Sequence, residues 1–130
     1  MRSFAREIVL QSIFSRLFNP SDEGLFAVLA KNLGKDDKAF AEKLYSLIIE
    51  EETAFSEELA GLSENFKAER IHNPDKCAIF IGMAELKHFP ETPTAVVIDE
   101  AVNLASRFST ENSADYVNGV LAAYAKKVRW

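Results

Sequence analysis

Hydrophobic positions recur at three- and four-residue spacing along most of the chain, the period of helices that bury one face. In the opening stretch Phe4, Ile8, Val9, Leu10, Ile13, Phe14, Leu17 and Phe18 lie nearly all round the helical wheel. The predicted first helix, from about Ser3 as N-cap to Phe18, therefore belongs in the middle of a bundle. Asn19-Pro20 ends it, because proline disfavours helical geometry in the residue before it. A short amphipathic helix is expected from about Asp22 to Asn32, with Leu25, Phe26, Leu29 and Leu33 at helical spacing and Gly34 as its stop. The next segment, about Asp37 to Leu62, directs Phe40, Leu44, Leu47, Ile48, Phe55 and Leu59 inward and is expected to break at Gly61.

A polar connection, Ser63 to His72, leads to Asn73-Pro74-Asp75, which reads as an N-cap, a proline at the first helical position and a first-turn acid. Helix should follow to about His88, with Ile79, Met83 and Leu86 in one stripe and Phe80 beside it. Gly82 in its interior costs about 1 kcal/mol relative to alanine and points to a close helix approach. Pro90 and Pro93 bound the next connection. Thr94 is the expected cap of a helix whose Val97, Ile98, Ala101, Val102, Ala105 and Phe108 form the clearest amphipathic stripe. Ser113 is expected to cap the last helix, with Val117, Val120, Leu121 and Tyr124 inward. Asn118-Gly119 in its middle defies helix propensity and marks either tight packing or a working surface.

Composition agrees with this all-α reading. Residues that favour sheets and their turns are scarce, with five Gly and four Pro among 130 residues, and 48% hydrophobic residues suffice for one shared core. A second independent domain is not expected. No apolar run approaches the roughly 18 residues that span a bilayer, and Arg6 and Glu7 interrupt the stretch a signal peptide would need, so the expected location is the cytoplasm. The lone Cys77, between Lys76 and the apolar Ala78 and Ile79, reads as a small core residue. His72 and His88 lack partners at ligand spacing, and the phosphate-binding, nucleophile and zinc-hydrolase motifs are missing, so no metal, cofactor or catalysis is expected. Glu50, Glu51 and Glu52 are consecutive, so on a helix they point in different directions and read as a solvated face.

The net charge of −5 argues against nucleic acid until its distribution is considered. Residues 1–16 carry a net +2 and residues 116–130 a net +3, against −10 for the remainder. Two cationic ends brought together could act as one local patch, because screening over about 10 Å isolates them from the acidic middle. Arg2 and Arg6 share an edge of the first two helical turns, the place where an RNA contact is expected. For Lys126, Lys127 and Arg129 the competing reading is that they complement the dipole at a helix C-terminus.

The residues in the C-terminal half resemble the NusB family. Arg70, Asp75, Lys76, Ala78, Ile79, Ala84, Glu85 and Leu86, then Pro93 with Val97-Ile98-Asp99-Glu100-Ala101-Val102, Leu104, Ala105 and Phe108, then Tyr116-Val117-Asn118-Gly119-Val120-Leu121, are similar to three family blocks in the same order and spacing. Ala5-Arg6-Glu7 and Gln11 resemble the family's opening, with Phe14 in a tyrosine position. The resemblance implies a NusB-like bundle of two small packed helical subdomains, about 1–62 and 63–130. It also implies a non-catalytic transcription antitermination factor that binds boxA-type single-stranded RNA of nascent ribosomal transcripts. Its implied partners are NusE, a small-subunit ribosomal protein, and the RNA polymerase antitermination complex, with a homodimer as a further assembly. The implied RNA-binding residues are Arg2, Arg6, Tyr116 and Asn118, and the implied partner-binding residues are Phe14 and Asp75. The chain departs from the family in having Ser3 and Phe4 within its arginine motif, Asp115 beside Tyr116, and a longer tail to Trp130. The alternative is a protein-interaction or dimerisation module without RNA binding. A detached relative of the NusB-like domain of RNA methyltransferases is a third reading, but no cofactor-binding α/β domain is present to make it an enzyme.

Overall fold

The computed structural model describes residues 2–21, 24–63, 71–109 and 113–129. They form helices α1 (Arg2–Phe18), α2 (Gly24–Ala30), α3 (Lys35–Glu50), α4 (Glu52–Ser63), α5 (Asn73–His88), α6 (Thr94–Phe108) and α7 (Ser113–Val128), with no strand among the described residues. Asp22, the expected start of the second helix, and most of the 63–72 connection lie outside them.

The helix at the centre is α5. Ten consecutive residues, Cys77 to Leu86, are buried, and α1, α3, α4, α6 and α7 all pack on it. Residues buried on every side cannot be mostly charged, and the one acid in that run, Glu85, is 0% exposed and completely paired. Arg6 of α1, itself 3% exposed, donates from Nε and Nη2 to the two Glu85 carboxylate oxygens, both at 2.7 Å. Glu100 of α6 lies 3.6 Å from Arg6 Nη1 and draws the third helix to the same point.

Gly82 supplies the close approach its position suggested. A Cβ there would lie 2.6 Å from Cδ1 of Leu121, so α7 packs directly against the α5 backbone. Cys77 is buried in the same core, and burial pushes its thiol up to about 12, as expected for a packing residue and not a nucleophile.

The expected single segment from Asp37 to Leu62 is two helices. The chain turns at Glu51 (φ −105°, ψ 16°), while Gly61 stays helical with open space around it. The turn lets Phe55, Leu59 and Leu62 leave the axis of α3 and enter the core. It is held from outside by the Glu51 carboxylate, which accepts hydrogen bonds from Lys87 Nζ at 2.5 Å and from His88. Burial alone would raise the Glu51 carboxyl, but these bonds and the adjoining positive charge outweigh it and hold the group below its ordinary value.

Three outcomes follow from this packing. Gly82→Ala should destabilise the fold by about 1–3 kcal/mol in urea melts despite the better helix propensity of alanine, because the buried Leu121 side chain would have to shift within the packed core. Arg6→Ala should cost about 3–5 kcal/mol, leaving Glu85 as an uncompensated buried charge, and the combined Arg6→Met, Glu85→Leu change should recover most of that loss. A carboxyl lowered by folding contributes stability above its unfolded value and loses it as pH falls through the folded value. Glu51→Gln should therefore flatten the decline in melting temperature below about pH 4, measured by circular dichroism.

Candidate nucleic-acid and partner interface

Arg2 opens α1, and its side chain is 45% exposed. Its guanidinium carbon sits 4.4 Å from the centroid of Phe40, Nη1 lies 3.4 Å from Thr92 Oγ1, and Glu91 is 3.9 Å away. Phe40 meets Phe89 edge to face at 5.2 Å, and Lys43 Nζ lies 4.6 Å from the Phe89 centroid. Two cations are thus seated on one pair of buried rings, along an open groove of about 510 Å³ that Asp36 also borders. Such a site can grip phosphates through charge while the rings hold the side chains in place. Lys43 was not singled out from sequence; the available signal was its place one helical turn after the inward Phe40, at the rim of the buried face of α3.

Arg6 does not join Arg2 at the surface. Its fork is consumed by Glu85 inside the bundle, so the expected direct RNA contact is replaced by a structural role: a phosphate could reach it only by stripping a buried carboxylate of its partner.

Tyr116 lies in the first turn of α7, half-buried, and its hydroxyl shares a hydrogen bond of 2.6 Å with Ser63 Oγ. Burial pushes its pKa up, the Ser63 bond opposes this, and the charge of Asp75 adds to the rise, so the phenol stays neutral well past physiological pH. Asn118 is exposed on the same helix. The expected single patch of cationic ends and aromatic ring is not formed. Arg2 sits beside Thr92, just past the C-terminal end of α5, and Tyr116 is near Asp75 at its N-terminal end. The thirteen residues from Asp75 to His88 put about 20 Å of helix between them. The C-terminal cations divide in the same way: Lys126 is exposed, Lys127 pairs with Glu58 at 3.2 Å, and Arg129 turns inward onto backbone carbonyls.

Phe14 and Asp75 flank a third feature. Phe14 is half-buried against Phe18, at 5.1 Å between centroids, and lines an almost wholly apolar groove of about 270 Å³ with Leu10, Gln11, Pro74 and Phe108. Asp75 follows Pro74 and is 4% exposed; its Oδ2 accepts from Ser113 Oγ at 2.8 Å, whereas Oδ1 has no hydrogen-bond partner. The Ser113 hydroxyl expected to cap α7 is thus directed to Asp75. A buried carboxylate oxygen left open beside an apolar groove suits a partner that brings a donor with an apolar side chain.

Among the described residues there is no cluster that would hold a metal ion, and no helix is long and apolar enough to cross a membrane.

Residues 3–126 match the model of the NusB family. The chain is 33% identical over 130 residues to transcription antitermination protein NusB of Sorangium cellulosum, an alignment covering 98% of this chain and 93% of that protein. Its fold is similar to that of NusB from T. maritima, with a TM-score of 0.89, 25% identity, and coverage of 98% of this chain and 92% of that one. It is also similar to a chain in a crystal structure of antitermination factors NusB and NusE in complex with dsRNA, with a TM-score of 0.84, 23% identity, and coverage of 97% and 96%. The family match over residues 3–126, with 33% identity to a NusB protein across 98% of the chain, makes this chain a member of the NusB family.

Proposed function

We propose that this chain is a transcription antitermination factor that binds boxA-type single-stranded RNA of nascent ribosomal transcripts together with NusE, in the cytoplasm and without catalysing a reaction. The observation that carries this reading is membership of the NusB family across residues 3–126, a span that includes Phe14, Asp75, Tyr116 and Asn118. The relative from Sorangium cellulosum bears the name of a transcription antitermination protein, and a neighbour of the same fold is seen with NusE and dsRNA. The chain works as one RNA-binding domain with halves at about 1–62 and 63–130. Arg2 supplies a phosphate contact, the half-buried Tyr116 ring a stacking face, and Asn118 hydrogen bonds to a base edge. Arg6 acts from within by fixing the first turns of α1 against α5. Phe14 and Asp75 meet NusE at the apolar groove, and the RNA polymerase complex is reached through that assembly.

The bound RNA is gripped from two places some 20 Å apart, about thirteen residues along a helix. With a single arginine offered at one place and an aromatic ring at the other, neither place holds RNA tightly alone, and a partner that adds contacts to the same strand multiplies the affinity. A second reading, a protein-interaction or dimerisation module without RNA binding, is favoured by Phe4 and Phe18, which stand 58% and 69% exposed on α1.

Filter binding of a boxA RNA across a salt series, with and without NusE, separates the two readings. The expected result is tighter binding with NusE, and a log affinity that falls with log salt by about 0.7 per phosphate contacted. Arg2→Ala should shallow that slope, and Phe14→Ala should weaken the NusE effect while leaving RNA binding by the chain alone unchanged. A chain that dimerises on size exclusion and ignores RNA even with NusE present would establish the second reading instead.

A further inference from the structure

The tail residue Arg129 is more completely bonded than any other cation described. A guanidinium has five N–H groups, and here all five are used. Nε donates to the carbonyl of Leu86 at 2.9 Å. Nη1 donates to the carbonyl of Thr92 at 2.7 Å and to Thr94 Oγ1 at 3.0 Å. Nη2 donates to the carbonyls of Glu85 at 3.2 Å and Phe89 at 2.9 Å. Arg129 therefore has nothing left to offer a phosphate. It joins the last carbonyls of α5, which no helical N–H can satisfy in full, to the turn that follows and to the first residue of α6.

That turn is where Arg2 is seated. The Thr92 N–H bonds to the Phe89 carbonyl at 3.1 Å, closing the turn, and Arg129 holds the carbonyls of both residues. The same four residues present the Thr92 hydroxyl and the Glu91 carboxylate to Arg2, and the Phe89 ring to Phe40, over which the Arg2 guanidinium lies. Lys43 rests on the Phe89 ring as well. An arginine in the first turn of a helix has many rotamers, and ordering it on binding costs affinity; one already seated on a rigid support loses less.

We propose that Arg129 is a positioning residue for RNA binding: it fixes the turn from Phe89 to Thr92, and so holds Arg2, at the other end of the sequence, in place to meet a phosphate. The proposal rests on the reading of Arg2 as an RNA contact. It assigns the C-terminal tail a role in presenting charge rather than in supplying it.

The test uses the full chain with NusE and a boxA RNA, comparing Arg129→Lys, Arg2→Ala and the double variant. Lysine keeps the charge but cannot reach five acceptors, so a role through charge alone would leave binding intact. The expected result for Arg129→Lys is RNA binding weakened about fivefold, the scale of one exposed charge contact. Its salt slope should be shallower by about 0.7, one phosphate on a single strand, although net charge is unchanged. The double variant should bind no more weakly than Arg2→Ala, because the two changes remove the same contact. Capture of NusE through the Phe14 groove should be unaltered. Thr92→Val leaves the Arg129 bonds to the backbone intact while removing the hydroxyl that Arg2 uses, and should reproduce the same loss if the lysine variant does not fold. RNA binding by Arg129→Lys at the level of the unaltered chain, or losses that multiply in the double variant, would overturn the proposal. Absence of salt-dependent RNA binding by the unaltered chain with NusE would instead overturn the functional reading beneath it.

Discussion

A carboxylate with no exposure at all cannot remain charged inside a helical bundle unless a cation meets it in good geometry, and the Glu85 side chain places that demand on everything around it. Arg6 answers it with two parallel bonds of 2.7 Å, which fixes the rotation and height of α1 on α5 far more narrowly than apolar contact alone. Hydrophobic side chains tolerate a slip of one residue with modest loss; a buried fork does not, because a slip leaves both charges unpaired. The position of Arg2 one turn earlier is a consequence of that registration, as is the hydrogen bond from Ser3 to Glu100 at 2.8 Å.

Because α5 is buried on all sides, surfaces can form only at its two ends and along the helices that surround it. At the C-terminal end, cations from the first and last helices converge on the carbonyls and on the 89–92 turn, which is where the helix dipole favours positive charge. At the N-terminal end the groups are of another kind: the half-satisfied Asp75, the hydroxyls of Ser63, Ser113 and Tyr116, and the apolar groove under Phe14. One helix thus separates a cationic surface from a polar and apolar one, and in the proposed function its length sets the span that a bound strand must cover.

The elements most legible in the sequence are those announced by local chemistry. Pro74 marks the start of α5, Gly82 the contact with Leu121, and the apolar stripe from Val97 to Phe108 identifies α6. The turn at Glu51 was not legible, because Leu47, Ile48, Phe55 and Leu59 keep helical spacing straight through it, and the side chains that hold it, Lys87 and His88, come 36 and 37 residues later. A pairing of Arg6 with an acid on a neighbouring helix could be envisaged, but which acid was hidden for the same reason. An arginine in a basic N-terminal motif reads as a phosphate ligand, and only the fold reveals a buried acid 79 residues away that takes its whole fork. Phe14 lines an apolar groove together with Pro74, the residue before Asp75, and the lining of that groove follows in part from the apolar residues of α1. Where one residue decides its own backbone, sequence suffices; where two distant residues decide together, it does not.

The acidic balance of the chain is compatible with binding a polyanion only where cations are gathered locally, because part of its positive charge is already committed. Arg6, Arg107, Lys127 and Arg129 are engaged with carboxylates or carbonyls, and each such bond neutralises a charge or caps a helix without creating attraction for RNA. What remains at the C-terminal end of α5 is Arg2 and Lys43, held on rings and shadowed by Glu91 and Asp36. So small a set of free cations cannot produce strong non-specific affinity, since that scales with the number of phosphates neutralised. It can still contribute to discrimination, because a weak and well-positioned contact adds usefully only when other contacts on the same strand are correct.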